Sequence, residues 1–279
     1  MSDLSEANTA SGEATKYTQY LRDIQYAAPD NLQARIRLHV KYATSPIKFP
    51  AWFFEQIDWS RARDVLDVGC GPGSLWTSLP QPLQANLALC DLSAGMIAAA
   101  TSAVQGRAAQ VGGLVASVQA LPFADESFDL VIANYMLYHA TDINQALGEL
   151  RRVLRTDGLL VAATNGPAHL IELLEIERAI ALRHSYRNHR EVFGSITGRE
   201  HLERHFGSVS WRPFIDELHC RDAEDVVAYI SSMPPGDRAT PEQQLSLRHE
   251  IDERMRIGNG VLRVTKETGI FLASGIATG

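Results

Sequence analysis

The sequence predicts an α/β fold: a mostly parallel sheet with helices on both faces and a helical cap. Three observations predict it. The apolar run 65–68 breaks into Gly69, Gly71 and Gly73, one residue apart. This is the pattern of a buried strand entering a tight loop where a ligand approaches bare backbone. Further short apolar runs at 86–90, 114–118, 128–134 and 159–163 alternate with helical patterns, which implies parallel order with helices on both faces. Ahead of the sheet, residues 16–54 hold Tyr17, Tyr20, Tyr26, Tyr42, Phe49, Trp52, Phe53 and Phe54, read as two or three helices that cover an edge of the core or roof a site.

Taken in order, residues 1–14 are small and polar and read as a disordered tail. A helical cap over 15–58 includes a helix at 31–42, and the core follows over 59–166. Ser93 is placed to cap the helix after the second strand. Residues 146–155 read as a helix that ends in a Thr156-Asp157-Gly158 turn. Beyond Asn165, a helix is expected over 169–184, apolar at Leu170, Leu173, Leu174, Ile176 and Ile180. The C-terminal part, 201–279, reads as a strand over 206–218, helices over 223–232 and 241–257, and a terminal strand pair at 261–264 and 270–273. The expected architecture is a seven-stranded, mostly parallel sheet.

At 279 residues, 45% of them apolar, the chain is long enough for a large core. A formal charge of −7 argues against a nucleic-acid partner. Cys70, Cys90 and Cys220 have neither metal-ligand spacing nor the even number of a disulfide framework, and read as reduced thiols. No signal-like segment opens the chain, and no run approaches the roughly 20 apolar residues of a membrane span. A cytoplasmic protein with no membrane partner is expected.

The glycine loop fails the dinucleotide fingerprint because Ser74 occupies the third glycine position, and no Gly-Lys-Ser/Thr follows for a Walker loop. What stands is Asp-x-Gly-x-Gly-x-Gly from Asp67 to Gly73, then Asp91 ending the next strand, suitably placed for ribose hydroxyls. Gln119-Ala120-Leu121-Pro122-Phe123, the strand 128–134 and the 146–163 segment complete the order. From about 64 to 165 this resembles the class I S-adenosylmethionine-dependent methyltransferases of the ubiquinone-methylase-like (type 11) group, with their Rossmann-like seven-stranded sheet. The chain is also similar to teleocidin-type natural-product C-methyltransferases.

The resemblance implies S-adenosyl-L-methionine as cofactor. Asp67, Gly69, Gly71 and Gly73 then face its amino-acid part, Asp91 its ribose, and Leu92, Met96, Ala120 and Leu121 its adenine. Gln119 stands where the family commonly has an Asp that accepts from the adenine amino group. Asn134 and Tyr135, at the end of the fourth strand, complete the cofactor set. No prolines occupy 135 or 136, which argues against adenine or glutamine amides as acceptors.

Residues 167–200 fall where the family inserts a lid. His139 is a candidate general base or loop-holding residue. Tyr20, Tyr26, His39, Tyr138, His139 and His169 are the candidate acceptor-binding residues, with packing the simpler role for His39. The cluster His184, Arg187, His189 and Arg190 reads as a solvated lid face rather than a metal site, and Trp76 as packing inward. The expected function is methyl transfer to a hydrophobic small molecule of secondary metabolism, at a prenyl or aromatic carbon with ensuing cyclisation. Oxygen or nitrogen methylation and a non-catalytic cofactor-binding protein are the alternatives. The N-terminal helices could also join copies into a homo-oligomer.

Overall fold

The computed structural model describes residues 30–182, 189–232 and 235–277. In chain order its helices are α1 (Asp30–Tyr42), α2 (Phe49–Glu55), α3 (Ser74–Thr77), α4 (Ala94–Ala103), α5 (Ile143–Val153), α6 (Ile171–Ala179), α7 (His189–Phe193), α8 (Thr197–Glu203), α9 (Ala223–Ser231) and α10 (Pro241–Ile257). The strands are β1 (Asp64–Val68), β2 (Leu83–Asp91), β3 (Ala108–Val115), β4 (Phe128–Asn134), β5 (Leu154–Asn165), β6 (Ser208–Cys220) and β7 (Leu262–Ser274). They form one seven-stranded sheet in the order β3-β2-β1-β4-β5-β7-β6. Neighbours are parallel from β3 to β5, and β7 runs antiparallel to both β5 and β6. The reversed β7 therefore brings its N-terminal half to the edge where the other strands end.

Local sequence explains the helices that frame this edge. Ser93 caps α4 by accepting from Met96 N at 3.3 Å, as its position predicts. On α5, Asp142 accepts from Gln145 N, and Ile143, Ala146, Leu147, Leu150 and Val153 form one buried stripe. A reciprocal Thr240–Gln243 capping box and Pro241 in the first turn start α10. One face of the sheet packs on Phe53 and Phe54 of α2 and on Trp76. The other packs on α5, Phe193 and Leu202. Leu38 and Tyr42 of α1 join α6, α9 and α10 in a third core, so the described part of the cap divides between two cores.

Several boundaries differ from the sequence reading, each for a local reason. The expected terminal strand pair is one strand, β7, because polar Lys266 and Thr268 are buried with partners inside the sheet. The Thr156-Asp157-Gly158 turn lies within β5. There the pairing jumps from Phe128↔Leu154 to Leu130↔Leu159, a bulge that absorbs the extra residues. β3 begins at Ala108, six residues before the expected start. As a largely exposed edge strand with Gly112 and Gly113 it lacks an apolar run. α6 is shorter than 169–184: Leu170, at φ 55°, breaks the pattern before it, and the helix ends at Ala179. Tyr20, Tyr26, the 1–14 tail, and His184 and Arg187 lie outside the described residues.

At the opposite edge, Asp129 ties three strands together. Its Oδ2 accepts from Arg63 N and Asp64 N at 3.0 Å each, and its Oδ1 pairs with Arg155. Burial would raise its pKa, but the bonds from Arg155 and the two backbone amides outweigh it and lower the value. A carboxylate lowered on folding contributes stability above its unfolded pKa and loses it as pH falls through the folded one. Asp129→Ala should cost about 1–3 kcal/mol at neutral pH, read by urea denaturation, with the difference gone below about pH 3.

Candidate active site

Strand periodicity sets the site. Side chains two residues apart share a sheet face. Leu89, Val65, Ile132, Ala163 and Ile270 all pack in the core beneath α2. Their i+2 neighbours Asp91, Asp67, Asn134 and Asn165, and Thr268 two residues before Ile270, therefore emerge on that same face. They belong to β2, β1, β4, β5 and β7, five successive strands of the sheet. Asp67 lies one level deeper, paired with Leu89 and Ile132.

The loop after β1 takes left-handed conformations at Gly69, Gly71 and Gly73, with φ of 65°, 53° and 76°. A Cβ on Gly69 would also lie 2.6 Å from Met136 Cβ, so glycine is required there twice over. Asp91 holds the loop: its Oδ2 accepts from Gly71 N at 3.0 Å and its Oδ1 from Ser93 N at 2.9 Å. With Leu92 N also bonded to this carboxylate, acceptor capacity remains for a ribose hydroxyl. Burial raises the pKa of Asp91 despite these bonds.

Asp67 is 1% exposed. Trp76, packed inward as expected, donates Nε1–H to its Oδ2 at 2.7 Å. Its Oδ1 is buried with no partner, and the same holds for Asn134 Oδ1 and Asn165 Oδ1. Three orphaned acceptors on one face of β1, β4 and β5 are costly for a folded chain. They suit a ligand that brings N–H donors and positive charge, and the ammonium and sulfonium of S-adenosylmethionine have that character.

Other expected contacts move. Gln119 Oε1 accepts from Thr141 N at 2.9 Å, Thr141 Oγ1 at 2.8 Å and Asp142 N at 3.3 Å, which leaves it no role toward adenine. Met96 and Leu121 are 1% and 4% exposed and point into the core, while half-buried Leu92 and exposed Ala120 are the side chains of this set that stay open. The Tyr135 hydroxyl is engaged within the protein. Held at φ 55°, Tyr135 bonds through its hydroxyl to Thr268 Oγ1, which donates to Thr164 O at 2.9 Å. Burial raises the Tyr135 pKa, so the phenol stays neutral.

The Tyr135 ring begins an aromatic wall that sequence reading left unassigned. Phe49 lies 5.4 Å from Tyr135, with Trp52 and Phe214 at 5.7 and 5.6 Å from Phe49. Lys266 Nζ sits 5.2 Å over the Phe214 ring. Beyond it, His39 of α1 and His169, which follows β5, stack at 5.9 Å and 16°. The fold thus joins these two expected acceptor-binding residues. Tyr138 is set apart, packing on the opposite core, and His139 meets the Tyr138 ring at 4.7 Å. Arg190 is not a solvated lid residue: it donates to Pro167 O at 3.0 Å and to His169 O. Asn165, Thr268 and Lys266 gave no sequence signal, since their places depend on how β7 pairs with β5 and β6.

Burial raises the Asp67 pKa to about 7, partly offset by Trp76 and reinforced by the Asp91 charge. A carboxyl raised on folding contributes stability below its unfolded pKa, and loses it as pH rises through the folded value. Asp67→Asn should therefore stabilise the ligand-free protein at pH 8 by on the order of a few kcal/mol, seen as a higher Tm, and leave its stability nearly unchanged near pH 4. Thermal scans at the two pH values check this.

Residues 66–162 match a family described as a methyltransferase domain. Over 229 residues the chain is 27% identical to the biotin biosynthesis bifunctional protein BioHC of Saccharophagus degradans, covering 76% of this chain and 40% of that protein. It is 35% identical over 123 residues to the malonyl-[acyl-carrier protein] O-methyltransferase of Pseudescherichia vulneris, covering 44% of this chain and 47% of the relative. The chain thus spans less than half the length of these curated relatives. Its fold is similar to the YcgJ protein of Bacillus subtilis, with a TM-score of 0.58 at 16% identity over 82% of this chain and 98% of that one. The match places a methyltransferase domain over residues 66–162 of this chain.

Proposed function

We propose that the chain is an enzyme that transfers the methyl group of S-adenosylmethionine to a hydrophobic small molecule in the cytoplasm. The observation that carries this reading is the set of orphaned buried acceptors, Asp67 Oδ1, Asn134 Oδ1 and Asn165 Oδ1, beside the glycine loop and Asp91. When bound, the cofactor supplies an activated sulfonium methyl, and the protein's task is to bind, orient and exclude water. Asp67 and the backbone of Gly69 to Gly73 hold the amino-acid part, Asp91 takes the ribose, and Asn134 turns its carbonyl toward the charged end. Tyr135, Phe49, Trp52 and Phe214 offer the acceptor an apolar wall.

That wall favours an aromatic or prenyl acceptor, since ring faces stabilise the cation that forms during carbon methylation and cyclisation. Methylation of oxygen is the second reading, favoured by the activity named for the P. vulneris relative. Copies of the chain could join through the N-terminal helices.

Asp91→Ala should weaken S-adenosylmethionine by about 2–4 kcal/mol in calorimetry. Wild-type protein that binds neither S-adenosylmethionine nor its demethylated product at millimolar concentration would end the methyltransferase reading. The cofactor's positive charge favours ionised Asp67, whose pKa without ligand is about 7. Wild-type affinity should therefore fall below that pH, by at most about tenfold per unit, and Asp67→Asn should flatten the dependence.

The His139 ring packs edge-on against Tyr138, and catalysis through proximity and desolvation needs no base for an electron-rich carbon. His139→Asn should lower kcat by less than about a hundredfold, where loss of a general base costs ~10²–10⁴-fold. Rates at saturating cofactor that stay flat from about pH 6 to about pH 9 support carbon methylation. A rate that falls below a pKa near 6.5 in wild type and not in the variant would make His139 the base and oxygen or nitrogen the acceptor.

A further inference from the structure

The far end of the aromatic wall is polar, and its groups are under-used. His169 is 8% exposed and Lys266 is 7% exposed. His39 Nδ1 and His169 Nδ1 are both buried without a hydrogen-bond partner. Lys266 Nζ has three N–H donors, and one of them reaches Asp216 Oδ2, at a long 3.3 Å. The other Asp216 oxygen, Oδ1, already accepts from Thr44 N, Thr44 Oγ1, Ser45 N and Glu217 N.

The segment that carries His169 is locked beside Lys266. Leu170 N donates to Thr265 O at 2.7 Å, and Gly166 N donates to Glu267 O at 3.0 Å. The Glu267 carboxylate is engaged by Ala168 N at 2.7 Å. On β7, Lys266 and Thr268 share a face, about 7 Å apart along the strand. Thr268 binds Tyr135, so this polar end continues directly from the wall that starts beside Asn134.

We propose that the His39–His169 pair and Lys266 bind a carboxylate at the end of the methyl acceptor remote from the aromatic ring stack. The proposal rests on the methyltransferase reading and adds the acceptor's chemical class: an apolar or aromatic body with an acidic end. Both rings are held neutral by burial first. Lys266 then outweighs Asp216 at His39, while His39, Arg190 and Lys266 all oppose protonation at His169. A carboxylate here would accept from the Lys266 N–H groups not turned to Asp216, and from a ring whose tautomer carries its proton on Nδ1. A neutral acceptor would leave the spare Lys266 donors without an anion to meet.

The test uses the full chain saturated with S-adenosylhomocysteine, titrated calorimetrically with 3-phenylpropanoate and, separately, with 3-phenylpropanamide. The acid should bind at least about tenfold more tightly than the amide. His169→Phe, which keeps a ring in the stack, and Lys266→Met should each erase that preference while leaving S-adenosylhomocysteine affinity unchanged. In wild type, the acid and not the amide should shift the imidazole ¹⁵N resonances of two histidines, a readout that needs no variant. Equal binding of acid and amide, no binding of the acid at millimolar concentration, or a preference that survives in both variants would overturn the proposal. Failure to bind S-adenosylhomocysteine would instead overturn the methyltransferase reading.

Discussion

A carboxylate in a dry place governs this molecule. Asp67 is fixed in the core beneath α2 with one oxygen on Trp76 and the other on nothing. A buried acceptor without a donor is costly, and an apolar neighbour does not relieve it. The chain therefore folds around a deficit that a donor or a positive charge removes. Asn134 and Asn165 repeat that deficit on neighbouring strands, so a positive ligand gains along a line across the sheet. Part of the binding free energy comes from relieving a folded state that is less stable than its sequence could make it.

The reversed β7 extends this edge beyond the parallel strands. A parallel seventh strand would bring its C-terminal residues, not Lys266 and Thr268, to the ligand side. Reversal places Thr268 opposite Asn165 and Phe214, and Lys266 opposite Asp216. One strand then carries the hydroxyl that fixes Tyr135 and the ammonium above Phe214. The aromatic wall spans from α2 to β6 because its rings are anchored on elements that the sheet already holds. Of the wall residues Phe49, Trp52, Tyr135 and Phe214, Tyr135 alone has a positive φ, at 55°. That conformation turns its ring toward Phe49, and the Thr268 bond over-determines it.

The parallel half of the fold was legible because its signals are local. Val65 to Gly73 declare a strand and its loop within nine residues, and Asp91 follows at the tip of the next. Those residues stand where their spacing implied. Gln119 could not be read correctly, because its fate depends on Thr141 and Gln145, which sit beyond another strand. Lys266 and Thr268 were hidden in a polar stretch that looks like a break between two strands. Register across β6, β7 and β5 converts that stretch into the inner face of a site, and register is not written in any one segment. His39 and His169 were legible as candidates by residue type; their stacking was not, being a contact between segments 130 residues apart.

Asp216 links the cap to the acceptor end. One of its oxygens gathers Thr44 and Ser45, which follow α1, and the other holds Lys266. α1 in turn carries His39 and is tied to α9 through Tyr42 and Asp225 at 2.6 Å. A group that draws on the Lys266 ammonium therefore acts on the same carboxylate that anchors the chain leaving α1. Such shared hydrogen-bond networks polarise as a unit, so the strength of the cap anchor and the position of the ammonium are coupled quantities. The cofactor edge has no such tie: Asp67, Trp76 and Asp91 bond among β1, α3, β2 and their loops. The two ends therefore differ in how they are held: Asp67 and Asp91 bond within the sheet and its loops, whereas a cap helix and an antiparallel strand meet over the buried Asp216–Lys266 ion pair.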